Sequence, residues 1–201
     1  VTNCAAAIQQ AVDAAAAAGG GRVIVPAGRF LSGSVLLKDN VELHLESGAV
    51  LISSLNPADI TPFPQGGDGT DPDDTADGCE GGFFLGASHA KNVTISGMGT
   101  IYGQGDKVFL DKNVDNGFHE CPKFCEAFRP RMMLFEAVEN FTVRDVTLQD
   151  AAFWTLHMAG CRHVRIQNIM ILNDDRGANN DGIDPDCCQD VVISNCIVRT
   201  G

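Results

Sequence analysis

The chain has no apolar stretch close to the roughly 20 residues that a membrane-spanning helix needs, although 44% of its 201 residues are hydrophobic. It is also poor in basic residues, with 14 Lys and Arg against 26 Asp and Glu, and its formal net charge is −12. Because nucleic-acid phosphates bind basic surfaces, this charge argues against a nucleic-acid partner. We expect no membrane span, and an acidic polymer would bind only at a local basic patch.

Two other features are missing. No charged and apolar leader with a small-residue cleavage site opens the chain, so a signal peptide is either already removed or never existed. Cys121 and Cys125 have no second cysteine pair at the spacing of a zinc finger, which argues against a zinc site. Three of the eight cysteines, Cys161, Cys188 and Cys196, lie in apolar, strand-like context and are expected to be buried thiols. We expect no metal and no cofactor.

A second helix of normal length is missing as well. Residues 5–18 are predicted to form the one helix, because Asn3 can cap its start, Ile8 and Val12 form an apolar stripe, and a glycine run ends it. The rest of the chain consists of short β-branched runs separated by Gly, Asn and Asp. The residues 66–82 between two such runs are predicted to be a solvated acidic loop, since their spacing does not match an EF-hand.

The short β-branched runs repeat along the chain. Five of them share a pattern of apolar, small or polar, apolar and then a turn residue: NVELHL (40–45), NVTISG (92–97), NFTVRD (140–145), HVRIQN (163–168) and VVISNC (191–196). Aligned on their first apolar residue, they lie 52, 48, 23 and 27 residues apart, so the underlying period is about 23 to 27 residues.

A repeat of this size with several short strands and no helix predicts an all-β fold, the right-handed parallel β-helix. Leucine-rich repeats are the main alternative, but their L-x-x-L-x-L-x-x-N signature is absent. We expect residues 1–201 to form a single β-helix domain, with the helix of residues 5–18 capping the first coil.

Residues 179–188, NNDGIDPDCC, place three aspartates within one coil of this repeat. A separation of 27 residues stacks Trp154 on Asp181 and His157 on Asp184, and stacked positions lie about 4.8 Å apart. A flat ring for a pyranose and carboxylates for the chemistry are typical of a sugar-binding cleft. Two other interpretations stay open: Trp154 could point into the core, and Asp184 could bind turn amides and hold the coil.

With this motif the chain resembles glycoside hydrolase family 28, the polygalacturonases. NNDGID (179–184) is similar to the N-T-D-G-hydrophobic-D signature of that family, and the segments GGGRVIVPAGRFLSG, NVELHLESGAVL, KNVTISGMGTIYGQG and RPRMMLFEAVENFTVRDVTLQDAAFWTLHMAGCRHVRI are also similar. The resemblance implies a pectate-lyase-like β-helix that hydrolyses galacturonosyl or related pectic linkages with inversion. The implied partner is a pectic polysaccharide or oligogalacturonide.

The resemblance assigns roles residue by residue. Asn179 matches the asparagine of the motif, Asn180 replaces its usual threonine, Asp181 matches the catalytic base-side aspartate, and Asp184 matches the second aspartate, in a supporting role. The family's G-D-D motif with the general acid, its G-H-G and its R-x-K are not present before the sequence stops at RTG. We therefore expect an N-terminal portion of the enzyme that is inactive by itself.

Substrate carboxylates are best bound by guanidinium groups. Arg129 and Arg131 flank a proline, and Arg176 precedes the motif, so these three are candidate substrate ligands together with Trp154 and His157. Solvated surface arginines are the alternative interpretation.

The sequence is also compatible with two other functions: a calcium-dependent pectate lyase, and a non-catalytic β-helical surface or adhesin module. A secreted or periplasmic monomer is expected in preference to a cytoplasmic protein.

Overall fold

The protein is described by a computed structural model that defines residues 2–62, 82–110, 124–125 and 128–201. Residues 66–81 of the predicted acidic loop and Cys121 of the C-x3-C pair lie outside this part of the chain. No helix within the described ranges is long and apolar enough to cross a membrane. The single-domain organisation of residues 1–201 stays a prediction.

Three parallel sheets run along the molecule, and successive turns of the chain add one strand to each. Sheet A contains, in spatial order, β1 (Gly21–Val25), β4 (Val41–Leu45), β8 (Lys91–Gly97), β13 (Glu139–Arg144), β16 (Arg162–Gln167) and β19 (Gln189–Ser194). Sheet B contains β2 (Gly28–Ser32), β5 (Ala49–Ser53), β9 (Thr100–Tyr102), β14 (Thr147–Gln149), β17 (Met170–Leu172) and β20 (Ile197–Arg199).

Sheet C forms the third side. Its parallel strands are β3 (Val35–Leu36), β7 (Gly82–Ser88), β12 (Arg131–Glu136), β15 (Leu156–Ala159) and β18 (Ile183–Asp186), and β6 (Thr61–Pro62) pairs antiparallel with β7. Outside the three sheets, β10 (Phe109–Leu110) pairs antiparallel with β11 (Phe124–Cys125). Short 3₁₀ helices cover Pro57–Asp59 and Gly105–Lys107.

The order of the strands confirms the predicted right-handed parallel β-helix. Every sheet follows the chain coil by coil, and Val164 of β16 pairs in register with Val191 of β19. The separation of 27 residues that the sequence repeat predicts is therefore the length of one coil at this place. As expected for this fold, the strands bury alternate residues: Val41, Leu43 and Leu45 of β4 are fully buried, whereas the side chains between them are half-buried.

The predicted helix is present as α1, Ala5–Ala17. Its Val12 is completely buried and belongs to the same core as the coils, so α1 covers the apolar end of the first coil as predicted. The capping contact differs in detail. The residue directly before α1 is Cys4, and the Oδ1 atom of Asn3 accepts hydrogen bonds from the first helical amide at 2.9 Å and from the Gly33 amide at 3.0 Å. Asn3 thereby ties the helix start to the first coil.

One turn column consists of residues with left-handed backbone. Asn40, Asn92, Asn140, His163 and Asp190 precede or begin the sheet A strands and have φ between 54° and 60°. Asn, Asp and His tolerate this conformation better than most residues. The column also bonds along its length, since Nδ2 of Asn92 donates to Oδ1 of Asn40 at 2.7 Å and Nδ2 of Asn140 donates to Oδ1 of Asn92 at 3.0 Å.

The prediction that three of the cysteines are buried thiols is confirmed in full for one of them. Cys161 is buried, Cys188 and Cys196 are half-buried, and all three are free thiols.

Candidate active site on sheet C

The candidate site lies on the outer face of sheet C. Leu134, His157 and Asp184 are register partners on β12, β15 and β18. On β12 and β15 the residues directly before and after the register partner belong to the hydrophobic core. Since side chains alternate along a strand, these three side chains point away from the core. His157 therefore lies next to Asp184, as the repeat spacing predicts.

Asp181 lies in the segment that connects β17 to β18, residues 173–182, which we call the motif turn. The Thr155 amide donates to the Asp181 carbonyl at 2.9 Å, which continues the register of β15 and β18 by one step. Trp154 is therefore the neighbour of Asp181 on the preceding coil, as predicted. The Asp181 side chain is exposed, so water can reach its carboxylate.

Aromatic and guanidinium groups stack beside Asp181. The rings of Phe153 and Trp154 are nearly parallel with centroids 5.7 Å apart, and the Trp154 and His157 rings meet edge to face at 4.7 Å. Arg131 lies 5.1 Å from both the Phe153 and the Trp154 ring, and Arg129 lies 4.6 Å from the Phe153 ring. Trp154 is half-buried and is not part of the hydrophobic core, so the inward orientation considered above is wrong.

The three candidate arginines occupy different environments. Arg129 and Arg131 are only 4% and 2% exposed, whereas Arg176 is half-buried on the motif turn. Arg129 donates to the Ala178 carbonyl at 2.5 Å and to Oδ1 of Asn179 at 3.4 Å. Its guanidinium thus contacts the motif turn directly. Substrate binding by each of the three arginines stays a prediction.

Arg176 also lines an open surface pocket of about 370 Å³. The other residues of this pocket are acidic, basic or neutral polar, and they are Asp150, Asn173, Asp174, Asp175 and Arg199. Within the turn, the Arg176 amide donates to Oδ1 of Asp174 at 3.0 Å.

Asp184 has an unusual electrostatic environment. Burial raises the pKa of its carboxyl to about 6, and the negative charge of Asp181 adds to the rise. Its Oδ2 atom is buried and accepts no hydrogen bond within the described ranges. The face therefore combines one carboxylate that water can reach with a second carboxyl that stays protonated at mildly acidic pH.

A polar network that the sequence did not reveal supports the motif turn. The carbonyl of Asn180 accepts hydrogen bonds from the Asn173 carboxamide, the Thr155 hydroxyl and the Thr200 hydroxyl. The Asn180 side chain bonds in turn to the Asp174 carbonyl at 2.9 Å and to the Gly201 amide at 3.0 Å. The only sequence signal for this network was the asparagine at position 180, where the family motif has threonine.

These observations define a class of protein: a parallel β-helix that carries an aspartate-bearing motif turn beside an aromatic stack. The family is shown by direct comparison. Residues 22–201 match the family described as "Glycosyl hydrolases family 28", and the chain belongs to this family.

Known relatives agree with this assignment. The chain is 30% identical over 186 residues to a Vitis vinifera protein named "Probable polygalacturonase", a match that covers 91% of this chain and 36% of that protein. It is 27% identical over 175 residues to the endo-polygalacturonase of Pectobacterium carotovorum subsp. carotovorum, covering 86% of this chain and 42% of the relative. The crystal structure of a hyperthermoactive exopolygalacturonase from Thermotoga maritima superimposes with a TM-score of 0.75 at 25% identity, covering all of this chain and 49% of that one. The chain thus spans less than half the length of each of these three relatives.

Proposed function

We propose that the full-length protein is a glycosidase of the polygalacturonase type, which hydrolyses galacturonosyl or related pectic linkages with inversion. The observation that carries this proposal is the position of Asp181. The residue belongs to the NNDGID motif, its carboxylate is exposed, and it lies beside Trp154 at the edge of the sheet C outer face. Family membership supplies the reaction class.

An inverting glycosidase needs one carboxylate that activates water and one protonated carboxyl at the leaving oxygen, roughly 6.5–9.5 Å apart. Asp181 takes the base-side role in this proposal because its oxygens are accessible to water. Asp184 supports it, since its protonatable carboxyl lies beside Asp181 on the same face. The proton donor is assigned to the G-D-D motif of the family, which these 201 residues do not contain.

The substrate would lie over Asp181 and Trp154 at the edge of the sheet C outer face, because Leu134 and His157 on that face are only 2% and 1% exposed. A pyranose ring can pack on Trp154, whose ring is half-buried and edge-on to His157. Arg176 is the most accessible of the three candidate arginines and is proposed to bind a substrate carboxylate. The burial of Arg129 and Arg131 favours a supporting role for them under the aromatic stack. We further propose a secreted or periplasmic monomer that acts on pectic polysaccharide or oligogalacturonide.

The proposal is tested by Asp181→Asn in the full-length protein, with polygalacturonate as substrate. The variant keeps the shape of the side chain but cannot accept the proton of water, so kcat should fall by about 10²-fold or more. Release of reducing ends measures the rate. Asp190→Asn, at an exposed turn position of sheet A, is the control and should keep nearly full activity.

The same assay separates the alternatives. A pectate lyase would lose its activity with a calcium chelator and would form an unsaturated product that absorbs ultraviolet light. A non-catalytic surface module would release no reducing ends, either as the parent protein or as Asp181→Asn. Near-normal turnover by Asp181→Asn would remove Asp181 from its proposed role.

A further inference from the structure

The peptide bond directly before Asp181 is held by three successive coils. Its carbonyl, that of Asn180, accepts from the Asn173 Nδ2 at 3.0 Å, from the Thr155 Oγ1 at 3.3 Å and from the Thr200 Oγ1. Thr155 directly precedes β15, Asn173 directly follows β17 and Thr200 directly follows β20. Thr155, Asn173 and Asn180 are 0%, 3% and 0% exposed, so water cannot replace these donors.

Asn173 is the centre of this network. Its Oδ1 atom accepts from the Ala151 amide at 2.9 Å. Its Nδ2 atom lies 2.8 Å from the Thr155 hydroxyl and 3.0 Å from the Thr200 hydroxyl, besides its bond to the Asn180 carbonyl. Because an amide N–H can bond only to an oxygen, Oδ1 must face Ala151 and the NH₂ group must face Asn180.

We propose that Asn173 is a positioning residue for Asp181. Its carboxamide fixes the plane of the peptide bond between Asn180 and Asp181, and with it the direction of the Asp181 side chain. This inference rests on the proposed hydrolase function. Asn173 is 3% exposed and lines the surface pocket beside Arg176, but both of its carboxamide atoms bond to protein groups, so it acts on the reaction through Asp181. Its effect is on the orientation of the exposed carboxylate, and displacing a reacting group by about 1 Å can cost about 10²-fold in rate.

The test exchanges one atom of the carboxamide. Asn173→Asp in the full-length protein keeps the size of the side chain but replaces the NH₂ group by a carboxylate oxygen. At neutral pH this oxygen carries no proton, so it and the Asn180 carbonyl oxygen repel each other. On polygalacturonate at neutral pH, kcat should fall by about 10- to 100-fold with little change in KM. As the pH is lowered, the introduced carboxyl gains a proton and again donates to that carbonyl, so the ratio of variant to parent kcat should rise.

Asn173→Ala separates positioning from simple loss of packing. This variant has no donor at any pH, so its kcat ratio to the parent should stay low and independent of pH. Asn195→Asp, on an exposed turn of the last coil, applies the same chemical change away from the network and should match the parent throughout. A melting temperature for each variant shows whether the fold is kept.

Thr155→Val covers the case that Asn173→Asp does not fold. It removes a second donor to the same carbonyl with almost no change in shape, and should also lower kcat more than it raises KM. A kcat ratio for Asn173→Asp that does not change with pH, or an unchanged kcat for Thr155→Val, would overturn this inference and leave the proposed function in place. A parent enzyme that releases no reducing ends would overturn the proposed function and this inference with it.

Discussion

Asp181 and Asp184 are only three residues apart, yet the fold gives them different environments. Asp181 is exposed on the motif turn, whereas Asp184 is half-buried beside it and has one oxygen that accepts no hydrogen bond within the described part of the chain. The difference arises because β18 begins between them, so that Asp184 is drawn into the sheet while Asp181 stays on the turn. Two adjacent carboxyls with different exposure can therefore hold different protonation states at one pH.

This difference predicts a pH-dependent stability. The pKa of Asp184 is raised from 3.8 to about 6 in the folded chain, first by burial and then by the charge of Asp181. Between these two values the folded state holds more protons than the unfolded state, so the contribution of Asp184 to stability falls as the pH rises. Asp184→Asn stays uncharged, so its melting temperature relative to the parent should rise as the pH increases through about 6.

Thermal melts between pH 4 and 8 measure this difference. Asp186→Asn, two residues further along the same strand and exposed, is the matched control and should follow the parent. A difference between Asp184→Asn and the parent that is the same at every pH would contradict the assigned environment.

Among the elements of the fold, the sheet A strands share a column of left-handed residues, which lie at the second position of the strand or directly before its first. Their column of left-handed residues lets the chain change direction in a short turn, and the Asn40, Asn92 and Asn140 carboxamides bond to each other from coil to coil. Asparagine recurs there because it accepts a positive φ and supplies both a donor and an acceptor. The asparagine that opens three of the repeated runs thus has a backbone reason and a side-chain reason.

Two substitutions at Asn92 separate these reasons. Asn92→Gly keeps the φ of 55° without strain and loses only exposed hydrogen bonds, so it should cost about 0.5–1.5 kcal/mol of unfolding free energy. Asn92→Ala loses the same bonds and adds the strain of left-handed backbone, about 1 kcal/mol more. Urea denaturation measures both. Equal costs for the two variants would mean that the turn relaxes when the asparagine is lost.

For the whole molecule, stability resides in a core that is continuous from the helix to the later coils. Val12 of α1, Leu43 of β4 and Ile166 of β16 belong to the same cluster of buried residues. Within it, the Phe135 and Phe141 rings from sheets C and A pack with centroids 4.0 Å apart and join two sides of the solenoid. A defect in one coil therefore weakens contacts with the coils on both sides.

Phe141→Ala tests this continuity. The residue is completely buried, so its truncation should lower the unfolding free energy by about 3–5 kcal/mol. Val192→Ala, at a sheet A position that is 51% exposed, is the control and should stay within about 0.5 kcal/mol of the parent. Urea denaturation followed by far-ultraviolet circular dichroism measures both. A cost below about 1 kcal/mol for Phe141→Ala would indicate that the core at this coil is loosely packed.

The sequence predicted the fold and the stacking because both depend on periodicity. The alternation of apolar residues determines which side chains point inward. A coil length of 27 residues places His157 next to Asp184 on the following coil. A shift by one residue would turn every core side chain outward, so the register follows from the pattern alone. The helix at the N-terminus was predictable for a similar reason, because its apolar stripe needs a surface to cover.

The burial of Arg129 and Arg131 and the clamp on the Asn180 carbonyl were decided only by the tertiary structure. An arginine next to a proline has the same local sequence whether it is solvated or covered, and it is covered here because the Phe153 ring of the next coil lies over it. Likewise, Thr155, Asn173 and Thr200 are ordinary turn residues in sequence. They converge on one carbonyl because three coils end at the same corner of the solenoid, and hydrogen bonds there depend on side-chain geometry that no periodic pattern encodes.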